Sequence, residues 1–105
     1  YLLKTRISGR LSRMLGGKAS RTTEQLLGYT AKQLRDHIER QFTRGMSWDR
    51  VRNGEIEIDH ILPVKMFGAI TVDDPGFRVC WGLPNLRPMW SGENRAKGAR
   101  RLTIL

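Results

Sequence analysis

The chain has 105 residues, 39% of them hydrophobic, and a formal net charge of +9. That length makes one small domain with a modest core, and that hydrophobic fraction excludes wholesale disorder. The single cysteine, Cys80, excludes an internal disulfide and any zinc ribbon of paired CxxC motifs.

Placement of the charge says more than its sum. Residues 1–21 carry six basic residues (Lys4, Arg6, Arg10, Arg13, Lys18 and Arg21) and no acid. Residues 91–105 carry Arg95, Lys97, Arg100 and Arg101 against one acid, Glu93, while residues 22–90 are neutral, with nine bases and nine acids. Basic ends on a neutral middle suit a polyanion gripped by the terminal segments. No run spans a bilayer and no signal-peptide pattern is present, so a membrane partner is not expected. Tyr1 in place of Met points to a trimmed chain or a piece of a longer one.

Leu3, Ile7, Leu11 and Leu15 recur every four residues with Arg6, Arg10 and Arg13 on a neighbouring face, which predicts an amphipathic basic helix ended by Gly16-Gly17. Residues 1–21 are therefore expected to form a basic arm or helix, and 22–105 the body of a single domain. Thr22-Thr23-Glu24-Gln25 reads as a capping box for a short helix stopped by Gly28, and Thr30-Ala31-Lys32-Gln33 as a second box. The helix after it has the stripe Leu34, Ile38 and Phe42. Residues 43–53 read as loop, closed by the Asn53-Gly54 turn signal.

Glu55-Ile56-Glu57-Ile58-Asp59 alternates strictly and predicts a short strand with a polar face. Asp73-Asp74-Pro75 is a turn or a helix start, followed by a brief helical piece through Cys80 and Trp81. Cys80 reads as a small buried hydrophobe in a reducing compartment. Leu86 to Trp90 is a second strand that Pro88 confines to an edge. Ser91 would cap a last helix, with Asn94 and Lys97 on one face.

Asp59-His60 places a hard oxygen ligand beside a general base. Asn94 offers a second oxygen, and Lys97, one helical turn on, a positive charge. Such a set can hold one divalent metal and activate one water beside a phosphate. With Gly45-Met46-Ser47-Trp48, Ile58-Asp59-His60-Ile61, Asn85-Leu86-Arg87-Pro88-Met89-Trp90 and Glu93-Asn94 with Lys97-Gly98, the chain resembles the HNH endonucleases. It is most similar to the small phage and bacterial ones with Asn in place of the final His, over about residues 27–98.

That resemblance implies an α+β fold, small and mainly helical, with two short antiparallel strands and a C-terminal helix forming a ββα-metal motif. It implies Asp59 and Asn94 as ligands of one divalent ion, Mg²⁺ or Mn²⁺. His60 becomes the base that takes a proton from the attacking water, since an imidazole of ordinary pKa, ~6.5, is mostly neutral at physiological pH. Asn85 would brace the loop and orient the histidine; the helical spacing of Lys97, apart from the resemblance, places it to neutralise a phosphate. Glu57, where the subgroup often has His, shares the face of Asp59 by strand alternation, either as an acid behind the ligands or as a solvated one. The expected reaction is hydrolysis of double-stranded DNA, nicked or cut, in the cytoplasm of a bacterial or phage-infected cell. Lys4, Arg6, Arg10, Arg13, Lys18, Arg21, Arg87, Arg95, Lys97, Arg100 and Arg101 would contact phosphates. One site per chain leaves the oligomeric state open, a monomer included. Two other readings stand beside this one: an inactive basic DNA-binding module, and the nuclease domain of a larger toxin-type protein.

Overall fold

The computed structural model describes residues 2–68 and 71–96, so Lys97, Arg100 and Arg101, expected on the phosphates, lie outside the described residues. Helix α1 (Leu2–Leu15) buries Ile7, Leu11 and Met14 on one face. It ends where Gly17 adopts φ +83° and the Lys18 N–H donates back to the Arg13 carbonyl at 2.8 Å. The first segment is thus a helix built into the core, and Arg10, expected on DNA, donates to Thr23 Oγ1 at 2.9 Å.

Helix α2 (Arg21–Leu27) starts one residue before the expected capping box. Ser20 is the cap, its Oγ accepting from the Thr23 N–H at 3.1 Å, while Glu24 accepts from the Ala31 N–H at 2.8 Å across the connection. With the helix beginning at Arg21, the Thr23 N–H is an orphan donor and Ser20 is the hydroxyl placed to accept from it, and Thr23 is itself buried. Gly28 closes α2 in the left-handed region, φ +85°. Helix α3 (Ala31–Glu39) carries the reciprocal Thr30–Gln33 box, with bonds of 3.1 and 2.8 Å, and buries Leu34 and Ile38 completely. Phe42 lies beyond the helix end, 5.1 Å from the Trp48 ring.

The segment expected to be loop contains helix α4 (Trp48–Arg52), capped by Ser47. It is five residues long and buries none of them, so no apolar period marks it in the sequence. Strands β1 (Ile56–His60) and β2 (Leu86–Trp90) pair antiparallel, Ile56 opposite Trp90, Ile58 opposite Pro88, Asp59 opposite Arg87 and His60 opposite Leu86. Between them lie two short 3₁₀ turns, Val64–Phe67 and Leu83–Asn85, and helix α5 (Pro75–Trp81), which begins on a proline.

Residues 91–96 are helical. Ser91 does not cap them as expected: it lies within the helical run, and its Oγ donates to the Gly54 carbonyl at 2.6 Å, while its N–H donates to the Glu55 carbonyl at 2.9 Å. The ladder therefore extends past β2 and anchors the helix start at the mouth of β1.

The described residues form a small, mostly helical α+β structure. Helix α1 packs on α3, α3 on β2 and α4 on β1. The core gathers Met14, Leu34, Ile38, Phe77, Cys80 and Leu86 among its fully buried side chains. Burial pushes the Cys80 thiol up and holds it protonated. Burial also raises the Tyr29 phenol, whose O–H donates to the Trp81 carbonyl at 2.8 Å. Among the described residues no helix is long and apolar enough to cross a membrane.

Because α1 supplies core side chains, Met14→Ala should cost about 2–5 kcal/mol in urea unfolding. A loose basic arm would leave the midpoint unchanged.

Candidate functional site

Residues directly opposite in an antiparallel pair share a face, and neighbours along a strand alternate. One face of the sheet therefore carries Ile56, Ile58, His60, Leu86, Pro88 and Trp90, and the other Glu57, Asp59, Arg87 and Met89. Ile56 and Leu86 are buried beneath the helices.

Asp59 is 6% exposed, and Arg87, its cross-strand partner, donates from Nε to its Oδ2 at 2.8 Å. A carboxylate so withdrawn from water requires a counter-charge, and the register supplies one. His60 ends β1 on the other face, its ring edge-on to Trp81 with centroids 4.5 Å apart and planes at 89°. Trp81 is 2% exposed, so the imidazole leans on a rigid wall. Asp59 and His60, read from the sequence as side by side, leave the strand on opposite faces and adjoin only at its end.

The chain beyond His60 is held by Asn85. Its Oδ1 accepts from the Leu62 N–H at 2.7 Å, and its Nδ2 donates to the carbonyls of Leu62 (3.1 Å) and Cys80 (2.8 Å). The Ile61 N–H donates to the Asn85 carbonyl at 2.9 Å. Beside it, the Leu86 carbonyl lies 3.0 Å from His37 Nε2 and accepts from Gln41 Nε2 at 3.2 Å, which makes His37 a structural residue.

Glu57 shares the Asp59 face, and its Oε1 is buried with no hydrogen-bond partner among the described residues. Asn94 is half-buried on the helical turn that follows β2. Among the described residues no group of three or more His, Cys, Asp and Glu side chains is gathered as for a metal held by such groups alone. A cleft of about 890 Å³ opens between α1, α4 and β1, with Ser12, Arg35, Trp48, Arg52, His60 and Trp81 in its wall.

Of the expected phosphate contacts, Arg13, Lys18, Arg21 and Arg95 are exposed. Lys4 and Arg6 belong to α1. Arg87 differs from the rest, since its guanidinium is bound to Asp59. Neither that pair nor the Trp81 wall was expected from the sequence. Pairing the two expected strands by their apolar faces could have found the first. No sequence signal marks the second, which depends on how α5 packs.

Asn85→Asp should show how much of this geometry one amide supports. The new carboxylate would face two carbonyls and lose both donations, leaving buried acceptors unsatisfied at about 1–3 kcal/mol each. Those carbonyls disfavour its charged form, so its folded pKa is raised above the unfolded value. The stability it retains is present at low pH and lost as pH rises through that folded value. Urea melts of the variant and parent at pH 5 and pH 8 should differ more at pH 8; an equal difference would remove Asn85 as the donor to Leu62 and Cys80.

No protein-family model matches the chain, and no solved structure matches it. It is similar to "Uncharacterized protein L426" of Acanthamoeba polyphaga mimivirus, with 30% identity over 86 residues, 82% of this chain. The chain spans 37% of that relative's length.

Proposed function

We propose that the chain is a metal-dependent DNA endonuclease of the HNH kind, with a ββα-metal motif made from β1, β2 and the helix that starts at Ser91. The observation that carries the reading is the end of β1: a buried carboxylate, Asp59, directly before His60, with the following residues clamped by Asn85.

The donor chemistry fits a hard divalent cation. Asp59 is a buried carboxylate, and the buried Oε1 of Glu57 on the same face lacks a hydrogen-bond partner among the described residues. Asp59 and the amide oxygen of Asn94 would hold the ion, with Glu57 behind them, and few protein ligands suit Mg²⁺ or Mn²⁺. When bound, the ion would stabilise the negative charge that grows on the phosphodiester during attack.

His60 takes the proton from the attacking water at a ring nitrogen. Trp81 fixes the ring plane, and Asn85 fixes the backbone on its far side, so the base is oriented before substrate arrives. Lys97, three residues after Asn94, offers a charge to the phosphate. The exposed bases Arg13, Lys18, Arg21 and Arg95 hold the DNA backbone. A DNA-binding module without catalysis draws support from the Asp59–Arg87 ion pair, which already balances the carboxylate.

Supercoiled plasmid decides between the two. Nicking or cutting with Mg²⁺ or Mn²⁺, abolished by excess EDTA, is expected; intact plasmid under every metal condition leaves only the binding module. His60→Ala should slow cleavage about 10²–10⁴-fold while DNA affinity stays. Cleavage at the parental rate would take the base role from His60.

Exposed charges can be removed without touching the core. Arg13→Gln, Lys18→Gln and Arg21→Gln together should flatten the salt dependence of duplex binding, by about 0.9 in the log–log slope for each phosphate no longer neutralised. Fluorescence anisotropy across a salt series reads this, and an unchanged slope would make these three side chains plain solvated surface.

A further inference from the structure

Arg87 occupies an unusual position for a residue in a DNA-binding face. It stands opposite Asp59 in the strand pair, and its Nε is 2.8 Å from Asp59 Oδ2. The two partners differ sharply in surroundings: the Asp59 side chain is 7% exposed and that of Arg87 36%. The acid is enclosed, while the base reaches the surface. A guanidinium has five N–H donors in a flat fork, and the bond from Nε to Asp59 uses one of them. The same fork is well matched to a phosphate. Any cation approaching Asp59 meets a positive charge already seated there.

Resting on the nuclease reading, we propose that Arg87 is an internal counter-ion that keeps Asp59 from divalent metal until DNA arrives. A backbone phosphate then draws the guanidinium outward, and the carboxylate passes to the metal. Neither partner is left alone at any stage: Asp59 exchanges one cation for another, and Arg87 one anion for another. That matters because a buried carboxylate stripped of its partner is strongly destabilising. Thermodynamic linkage makes the effect reciprocal, so metal and DNA each raise affinity for the other by one common factor, typically about 5–150-fold.

The test measures Mn²⁺ binding by calorimetry in a His60→Ala background, where DNA is not consumed, with and without a duplex. The chain with Arg87 should bind Mn²⁺ at least about tenfold more tightly when duplex is present. Arg87→Gln should bind Mn²⁺ more tightly without DNA than the Arg87 chain does, and gain less from duplex than that chain, the remaining gain being direct contact of phosphate with the ion. Arg87→Lys keeps the charge without the fork, so it should still bind Mn²⁺ more weakly without DNA than Arg87→Gln does. If Arg87→Gln, shown folded by circular dichroism, binds Mn²⁺ no more tightly without DNA, the counter-ion proposal is overturned. If Asp59→Asn binds Mn²⁺ as the chain with Asp59 does, with duplex and without, the metal site itself is wrong and the nuclease reading fails with it.

A second measurement needs no change at Arg87. The Arg87 Nε–H resonance should stay in place on adding Mg²⁺ alone and shift when duplex is added with Mg²⁺. A resonance that moves with Mg²⁺ alone, or that never moves, overturns the handover.

Discussion

The buried amide of Asn85 must satisfy three backbone groups at once, and much of the structure is arranged so that it can. Leu62 needs an acceptor for its N–H and a donor for its carbonyl, and the Cys80 carbonyl at the end of α5 needs a donor as well. Buried backbone groups left unpaired are costly enough that native structures rarely keep them. One side chain meets all three needs and so fixes how the chain leaves β1 relative to α5. The next carbonyl, that of Leu86, is taken by His37 and Gln41 from the end of α3 and just beyond it. Two consecutive residues thus tie three separate segments to the start of β2. Everything proposed about His60 depends on this junction, because the histidine is the last strand residue before the clamp.

A two-stranded sheet of five-residue strands is marginal by itself. Here the helices cover the face bearing Ile56, Ile58 and Leu86, and their burial sets the register. Register in turn decides the electrostatics of the other face. A slip of one residue would set Asp59 against Leu86 or Pro88 and leave a buried carboxylate without its guanidinium. Core packing on one side of the sheet therefore selects the ion pair on the other. Pro88 can stand in β2 because, among the described residues, the sheet has two strands and both are edges, so its missing N–H costs no second partner.

Arginine serves two physical purposes in this chain, and net charge alone does not separate them. Arg10 bonds Thr23, Arg78 donates to the Gln25 carbonyl, and Arg35 lies 4.4 Å above the Trp48 ring while donating to the Leu15 carbonyl. These tie helices together through a planar group with several donors. Arg13, Lys18 and Arg21 remain on the surface near the end of α1 and the start of α2. A charge of +9 is therefore an upper limit on what can face a polyanion.

Local structure was readable from the residues wherever one strong rule acted without competition. The α1 stripe, the Thr30–Gln33 box, the left-handed Gly28, the alternation through Asp59 and the proline start of α5 were all legible, because each depends on residues within one or two turns. Elsewhere the local signal was contested or too weak: Ser20 took the cap expected of Thr22, and α4 is too short to show a period. The same alternation that revealed β1 also implied that Asp59 and His60 diverge. What each of them meets, Arg87 for one and Trp81 for the other, follows from the folding of distant segments, since those partners lie 28 and 21 residues away in sequence. Long-range pairing depends on register and core packing, and neither is carried by the residues of a single strand.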